Sequence, residues 1–303
     1  FVLLLCLVVA VSIPACTGGG QADSGQGDTV GENKIKVSVT FNAMKEFAEA
    51  IGKDKVTVSN IMPDGMEPHD FEPKAQDLAD LAEAQILVYS GLGLESWVED
   101  AVQAVQNEDL IAVEASRGVT PIENEEPEEI EEHGQYDPHT WLSLRNAMIE
   151  AGNIRDALTE ADPQNKEYYE GNYQDFVSES EDLFSEYETK FRSVGKKSFV
   201  TGHAAFAYLC RDFGLEQNSV EDVFAEGEPT ARQLSELVDY CREHGVTTIF
   251  AEEMASPEVS ETLANEVGAE VQTIYTIESD EGSGTYLKRM EDNLSRIYES
   301  LTK

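Results

Sequence analysis

The sequence predicts an α/β protein of two lobes, each a parallel-type sheet with flanking helices, joined by one long helix. Three observations carry this. Short β-branched runs alternate with amphipathic stretches from Lys34 onward, the alternation resumes near Ser198, and the stretch between has no strand signal. A chain of 303 residues is also long enough for two compact domains, each with its own core.

In the first lobe, residues 34–161, the runs Ile35-Lys36-Val37-Ser38-Val39, Val56-Thr57-Val58, Ile86-Leu87-Val88-Tyr89 and Ile111-Ala112-Val113 are predicted strands. Helices are expected near 41–51, 74–84, 95–106 and 143–160. In the linking segment, residues 162–194, Tyr169, Tyr173, Phe176, Leu183, Tyr187 and Phe191 recur at helical spacing. About thirty residues at a rise of about 1.5 Å each would reach about 45 Å, the length of a small domain. A crossing by one stiff helix predicts limited relative motion of the lobes. In the second lobe, residues 195–303, Ser198-Phe199-Val200, Thr248-Ile249-Phe250 and Val271-Gln272-Thr273-Ile274 are the expected strands, with helices near 203–213, 230–244, 257–267 and 285–301.

Residues 1–15 are an uncharged apolar run that ends Ile13-Pro14-Ala15 before Cys16. With no starting Met and no basic flank, the sequence is expected to begin inside a signal peptide. Its apolar part is short for a membrane span, and small Ala15 before Cys16 fits cleavage and lipid attachment to that cysteine. Residues 16–33, rich in Gly, Ser, Gln and Asp, are expected to form a flexible tether. The protein would then be lipid-anchored at the extracytoplasmic face of a membrane. Of four cysteines, Cys210 and Cys241 remain for the folded part, where an oxidising location permits either a disulfide or free thiols.

Acidic residues number 60 against 21 Lys and Arg, a formal charge of −39. Such a surface repels phosphate backbones, which argues against a nucleic-acid partner, and it welcomes cations. The most concentrated acid is the loop 123–133, expected to be solvated charge, with His133 its one soft ligand.

Of five histidines, three follow predicted strands by loops, at the carboxyl edge where open α/β sheets bind ligands. His69 follows the second strand, His139 the fourth, and His203 the first strand of the second lobe. Pro68 and Pro138 fix the backbone before two of them, which lowers the entropy lost on coordination. Three neutral imidazoles suit zinc and leave one tetrahedral position for a carboxylate or water. Asp137 and Glu252 are candidate acceptors for a ring N–H of these ligands. His244 falls at a helix end before Gly245 and is assigned no metal.

The segments Glu67-Pro68-His69-Asp70-Phe71-Glu72-Pro73, Gly91-Leu92-Gly93-Leu94-Glu95-Ser96-Trp97, Asp137-Pro138-His139-Thr140-Trp141, Gly202-His203-Ala204-Ala205-Phe206 and Ile249-Phe250-Ala251-Glu252 resemble the zinc and manganese solute-binding proteins of ABC transporters. The resemblance runs from about Lys34 to the C-terminus. It implies two α/β lobes joined by a long helix, a metal in the cleft between them, and delivery to a membrane permease driven by a cytoplasmic ATPase. His69, His139 and His203 would take the places of metal ligands, and histidine at the third of these is typical of the zinc branch, with manganese as the alternative. The aspartate that often follows the last strand in that family is Tyr275 or Thr276 here, so the fourth ligand would be Glu278, Asp280 or water, with Glu278 preferred. The protein is expected to act as a monomer.

Two other functions fit part of the sequence. A zinc-dependent hydrolase would use the same imidazoles, but the sequence has neither a His-Glu-x-x-His helix nor a Gly-x-Ser-x-Gly elbow. The expectation is therefore that the protein is not an enzyme. A surface adhesin on the same scaffold is the second, because fold alone does not fix function.

Overall fold

The computed structural model describes residues 34–124, 130, 134–221, 230–252, 258–280 and 284–303. The expected signal segment and tether, Cys16, most of the acidic loop and His133 lie outside the described residues.

Four strands, β1 (Ile35–Val39), β2 (Val56–Asn60), β3 (Ile86–Tyr89) and β4 (Ile111–Glu114), form an all-parallel sheet in the order β2-β1-β3-β4. A second parallel sheet, β6-β5-β7-β8, is built from β5 (Ser198–Thr201), β6 (Glu216–Ser219), β7 (Thr248–Glu252) and β8 (Glu270–Ile274). In both sheets the order reverses beside the first strand, which opens a crevice at the carboxyl ends of β1/β3 and of β5/β7. Parallel strands are covered on both faces, and β7 is accordingly buried along its whole length.

The helices of the first lobe are α1 (Asn42–Gly52), α2 (Ala75–Leu81), α3 (Val98–Val105) and α4 (Leu144–Ala161). Met44, Phe47, Ala48 and Ile51 recur at three- and four-residue steps along α1 and are fully buried, which turns one apolar stripe onto the sheet. A 3-10 turn at Pro163–Asn165 leads into the 28-residue helix α5 (Lys166–Ser193). Its buried stripe is Tyr169, Asn172, Phe176, Ser180, Phe184, Tyr187 and Phe191, so Phe184 takes the inward place that the sequence suggests for Leu183. The second lobe adds α6 (Ala207–Phe213), α7 (Ala231–His244), α8 (Glu258–Val267) and α9 (Tyr286–Thr302).

Two sequence expectations are corrected. β6 carries no apolar signal in Glu216-Gln217-Asn218-Ser219, because it is a half-exposed edge strand held by its backbone ladder to β5. The helix expected from residue 203 starts at Ala207, since the residues after β5 turn away from the strand as a bend that presents His203. Cys210 and Cys241 are free thiols, both buried, and burial pushes the Cys241 thiol up to about 11.

The lobes share more than the linking helix. α9 runs back across the junction and packs on α1, α5 and β5. One continuous core extends from Val37 and Phe47 through Phe176 and Phe191 to Phe213, Phe250 and Leu294. The turn that follows residue 136 ties this junction. Trp141 is fully buried against Phe41, ring centroids 4.7 Å apart, its Nε1 donates to Thr276 O at 2.7 Å, and Tyr286 OH donates to its carbonyl at 2.6 Å. Tyr208 OH donates to Asp137 O and Ser143 Oγ to Asp212 Oδ2, each at 2.6 Å.

Within this core Glu150, on α4, is fully buried beside Thr140, and burial, with the Glu95 charge nearby, pushes its carboxyl up to about 7. The folded protein therefore holds this proton to higher pH than the unfolded chain, which releases it near about 4.3, so stability falls as pH rises between the two values. Glu150→Gln removes the titration. Urea denaturation of both proteins at several pH values should show the variant gaining about 3 kcal/mol on the wild type between pH 4 and pH 8, from the linkage of a shift this size; a pH-independent difference would contradict the assignment.

Candidate metal centre

Each histidine reaches the crevice from a different loop. β2 is prolonged by Ile61 N and Met62 N donating to Val39 O and Thr40 O, and the chain then turns through a 3-10 segment at Pro68–Asp70 that begins with its proline. This turn presents His69, whose side chain is 3% exposed. His139 precedes the 3-10 turn Thr140–Leu142 and is fully buried. His203 follows β5 after Gly202 and is also buried.

The three rings converge. His69 Nε2 and His139 Nε2 are 3.2 Å apart, and His203 lies with its ring centroid 4.8 Å from that of His139 and 5.8 Å from that of His69. One nitrogen from each ring lies within 4.8 Å of the other two, and among the described residues no other group of His, Cys, Asp and Glu is gathered this closely. Two nitrogens bound tetrahedrally at about 2.0–2.1 Å from zinc are about 3.3 Å apart. The His69–His139 separation therefore needs almost no rearrangement to become an edge of such a tetrahedron.

Carboxylates brace the rings. Asp137 Oδ1 lies 2.9 Å from both His139 Nδ1 and the His139 backbone N–H, so one oxygen fixes the ring and the loop that carries it. With Nδ1–H donating to Asp137, Nε2 presents its lone pair to the centre. Glu252, at the end of β7, reaches the His203 loop: its Oε1 accepts from the His203 backbone N–H at 2.9 Å. A Cβ at residue 202 would be driven into Glu252 Oε2, so Gly202 is the residue that lets this carboxylate sit beneath the His203 loop.

Of the two acids beyond β8, Glu278 faces the rings. Its Oε1 lies 4.0 Å from His139 Nε2, and its Oε2 accepts from Thr276 Oγ1 at 2.8 Å. Asp280 is instead committed to Lys45 at 3.2 Å and to Arg289 at 3.6 Å. Ile277, fully buried, is held at φ 63°, a conformation costly for a β-branched residue, and it stands between Thr276 and the glutamate to which that threonine donates. Glu67, whose Oε1 lies 3.9 Å from His69 Nε2, is a neighbour that the sequence analysis did not single out; its place two residues before His69 was the available signal. Glu123 and Tyr136, on either side of the acidic stretch, form an isolated antiparallel bridge just before Asp137.

Comparison with known proteins fits this geometry. The family model for zinc-uptake complex component A, periplasmic, matches residues 37–300. A Treponema pallidum (strain Nichols) protein named only for metal binding is 42% identical, over 89% of this chain and 88% of its own. The high-affinity zinc uptake system protein ZnuA of Bacillus subtilis (strain 168) is 36% identical over 99% of this chain and 96% of its own. Among solved structures, the laminin-binding protein Lmb of Streptococcus agalactiae, described as bifunctional with adhesin and metal transporting activity, superposes with a TM-score of 0.81 at 34% identity, covering 88% of this chain and 99% of that one. The two-lobed fold, the extent of the family match and the identity to these relatives together place the chain in the family of zinc-uptake complex component A, the periplasmic component of that complex.

Proposed function

We propose that this protein captures zinc outside the cytoplasmic membrane and delivers it to the permease of an ABC importer. The observation that carries the proposal is the 3.2 Å separation of His69 Nε2 and His139 Nε2 beside the buried ring of His203. Zinc is the cargo here and no covalent chemistry is required of the protein. His69, His139 and His203 supply three nitrogens, Glu278 turns toward the fourth position, and Asp137 and Glu252 hold the His139 ring and the His203 loop in place. An all-imidazole set prefers zinc to manganese, which favours oxygen ligands. Attachment through lipid on Cys16, after cleavage behind Ala15, would keep the protein beside its permease.

The continuous core across the junction supports capture by a nearly preformed site. Binding then requires small movements of loops rather than closure of two independent lobes, and release is expected to need the permease to displace a ligand loop. The carboxylates around the rings offset the charge of a dication, and water or a carboxylate completes the shell.

The likeness to Lmb favours adhesion as a second function. The two are separable in the cell: deletion of an importer subunit abolishes growth at limiting zinc, whereas deletion of an adhesin leaves uptake unchanged.

Calorimetric titration should give one tight zinc site per chain with weaker manganese binding. His69→Ala, His139→Ala and His203→Ala are each expected to weaken zinc binding by more than about a hundredfold, since loss of a ligand exceeds the effect of losing its hydrogen-bonded support. Because the imidazoles bind as neutral groups, affinity should fall, with proton release, between about pH 7.5 and about pH 5.5. Binding that is flat over that range, or indifferent to the three substitutions, would rule the site out. Gly202→Ala pushes Glu252 away from the His203 loop and should cost about tenfold to a hundredfold in zinc affinity with little change in melting temperature; unchanged affinity would remove Glu252 from the account.

A further inference from the structure

β8 ends at Ile274 in the second lobe, yet the chain that follows is bonded into the first. Thr276 O accepts from Trp141 Nε1 at 2.7 Å, and Glu278 O accepts from the backbone N–H of Asn42 at 3.2 Å. Asn42 opens α1, so this carbonyl satisfies one of the donors that a helix start leaves without an intrahelical partner. Arg289, on α9, holds the next carbonyl, its Nη1 donating to Ser279 O at 3.2 Å. Thr276, Ile277, Glu278 and Ser279 are all buried. The backbone on either side of Glu278 is therefore fixed largely by first-lobe groups, and its side chain is presented from there.

The loop that carries His69 is built differently. It leaves β2 under the bonds from Ile61 N and Met62 N and then runs over the surface, with Pro63, Asp64, Gly65 and Met66 exposed. An exposed stretch gains little anchoring from burial and depends on specific bonds. Two are present, and they are reciprocal. The Gly65 N–H donates to Ser279 Oγ at 2.9 Å, and the Asp280 N–H donates to Asp64 Oδ1 at 3.2 Å. In each pair a side chain of one loop takes a backbone amide of the other. Gly65 makes this approach at φ 86°, a conformation open to glycine and costly for a residue with a Cβ. Ser279 is fully buried, which shields the bond from water on that side.

The spacing ties both bonds to the metal centre. Gly65 stands four residues before His69, and Ser279 follows Glu278 directly. A shift of the paired segments therefore displaces an imidazole and a carboxylate together, and these come from opposite lobes.

We infer that Asp64 and Ser279 are positioning residues for zinc: they clasp the His69 loop to the Glu278 turn, so that one ligand from each lobe is held, and released, as a unit. This rests on the reading of His69 and Glu278 as zinc ligands. The clasp acts on how long zinc stays, because an unclasped loop lets two of the four ligands move away together.

Stopped-flow release of zinc from the full-length protein into excess chelator tests this. Ser279→Ala and Asp64→Ala should each speed zinc dissociation about fivefold to tenfold, the loss expected when one hydrogen bond is removed. The association rate of Ser279→Ala, set by encounter, should not change. Asp64→Asn keeps an acceptor oxygen without the charge and should recover most of the wild-type lifetime. In the zinc-free protein, amide hydrogen exchange at Gly65 should be slower in the wild type than in Ser279→Ala, which reads the bond without metal, and melting curves verify that each variant is folded. Unchanged dissociation in both alanine variants, with His69→Ala still abolishing tight binding, would overturn the clasp and leave the zinc site standing; tight zinc binding that survives His69→Ala would overturn both. Release from Asp64→Asn as fast as from Asp64→Ala would reduce Asp64 to general attraction for cations and would likewise contradict the assignment.

Discussion

The buried turn that carries Asp137, His139, Trp141 and Ser143 is the constraint on which the other parts of the structure depend. Its indole fills the space between Phe41 and the segment after β8, and its backbone accepts hydrogen bonds from Tyr208 and Tyr286 of the second lobe. Each of these bonds is made in a water-excluded place, where breaking one would leave a buried donor or acceptor unsatisfied at a cost of about 1–3 kcal/mol. The turn therefore holds the lobes together and, by the same contacts, fixes where the His139 ring stands. The candidate metal centre and the lobe junction share this turn.

This explains why the larger of the two hydrophobic clusters spans both sheets, while a smaller one around Val200, Leu237 and Ile249 belongs to the second lobe alone. A ligand-binding cleft made by two separate domains needs a flexible crossing, and the energy of closure must come from the ligand. Here α5 spans the length, α9 returns across it, and Phe176, Phe191, Phe213 and Leu294 belong to one apolar cluster. His69 and His139 are thus held at close to a bonding separation before metal arrives, with a His203 nitrogen within 4.8 Å, which reduces the entropy lost on coordination. The cost of holding three imidazoles together is met locally: Asp137 orients one ring, Glu252 anchors the backbone of another, and Glu278 lies beside the third face of the site.

Much of the fold was legible in the sequence because parallel strands buried on both faces must be apolar throughout, and Ile86-Leu87-Val88-Tyr89 or Thr248-Ile249-Phe250 can hardly be anything else. β6 escaped for the converse reason: this edge strand is held by its backbone ladder to β5 and by Gln217 bonding to Thr201, His203 O and Phe206 N, none of which needs an apolar side chain. The histidines could be picked out by their loops and by Pro68 and Pro138, whereas the bond from the His203 backbone to Glu252 could not. Its contact with the His203 backbone depends on β5 and β7 being neighbours, with Gly202 leaving room, and pairing of that kind is a long-range fact. The pairing of Asp280 with Lys45 and Arg289 likewise joins residues far apart in sequence.

The central claim is that three imidazoles and one oxygen surround the transported metal, and zinc K-edge X-ray absorption on the zinc-loaded protein tests it most directly. The account predicts four ligands at about 2.0–2.1 Å with the multiple-scattering pattern of three imidazoles. A five- or six-coordinate shell dominated by oxygen, with one imidazole or none, would contradict it.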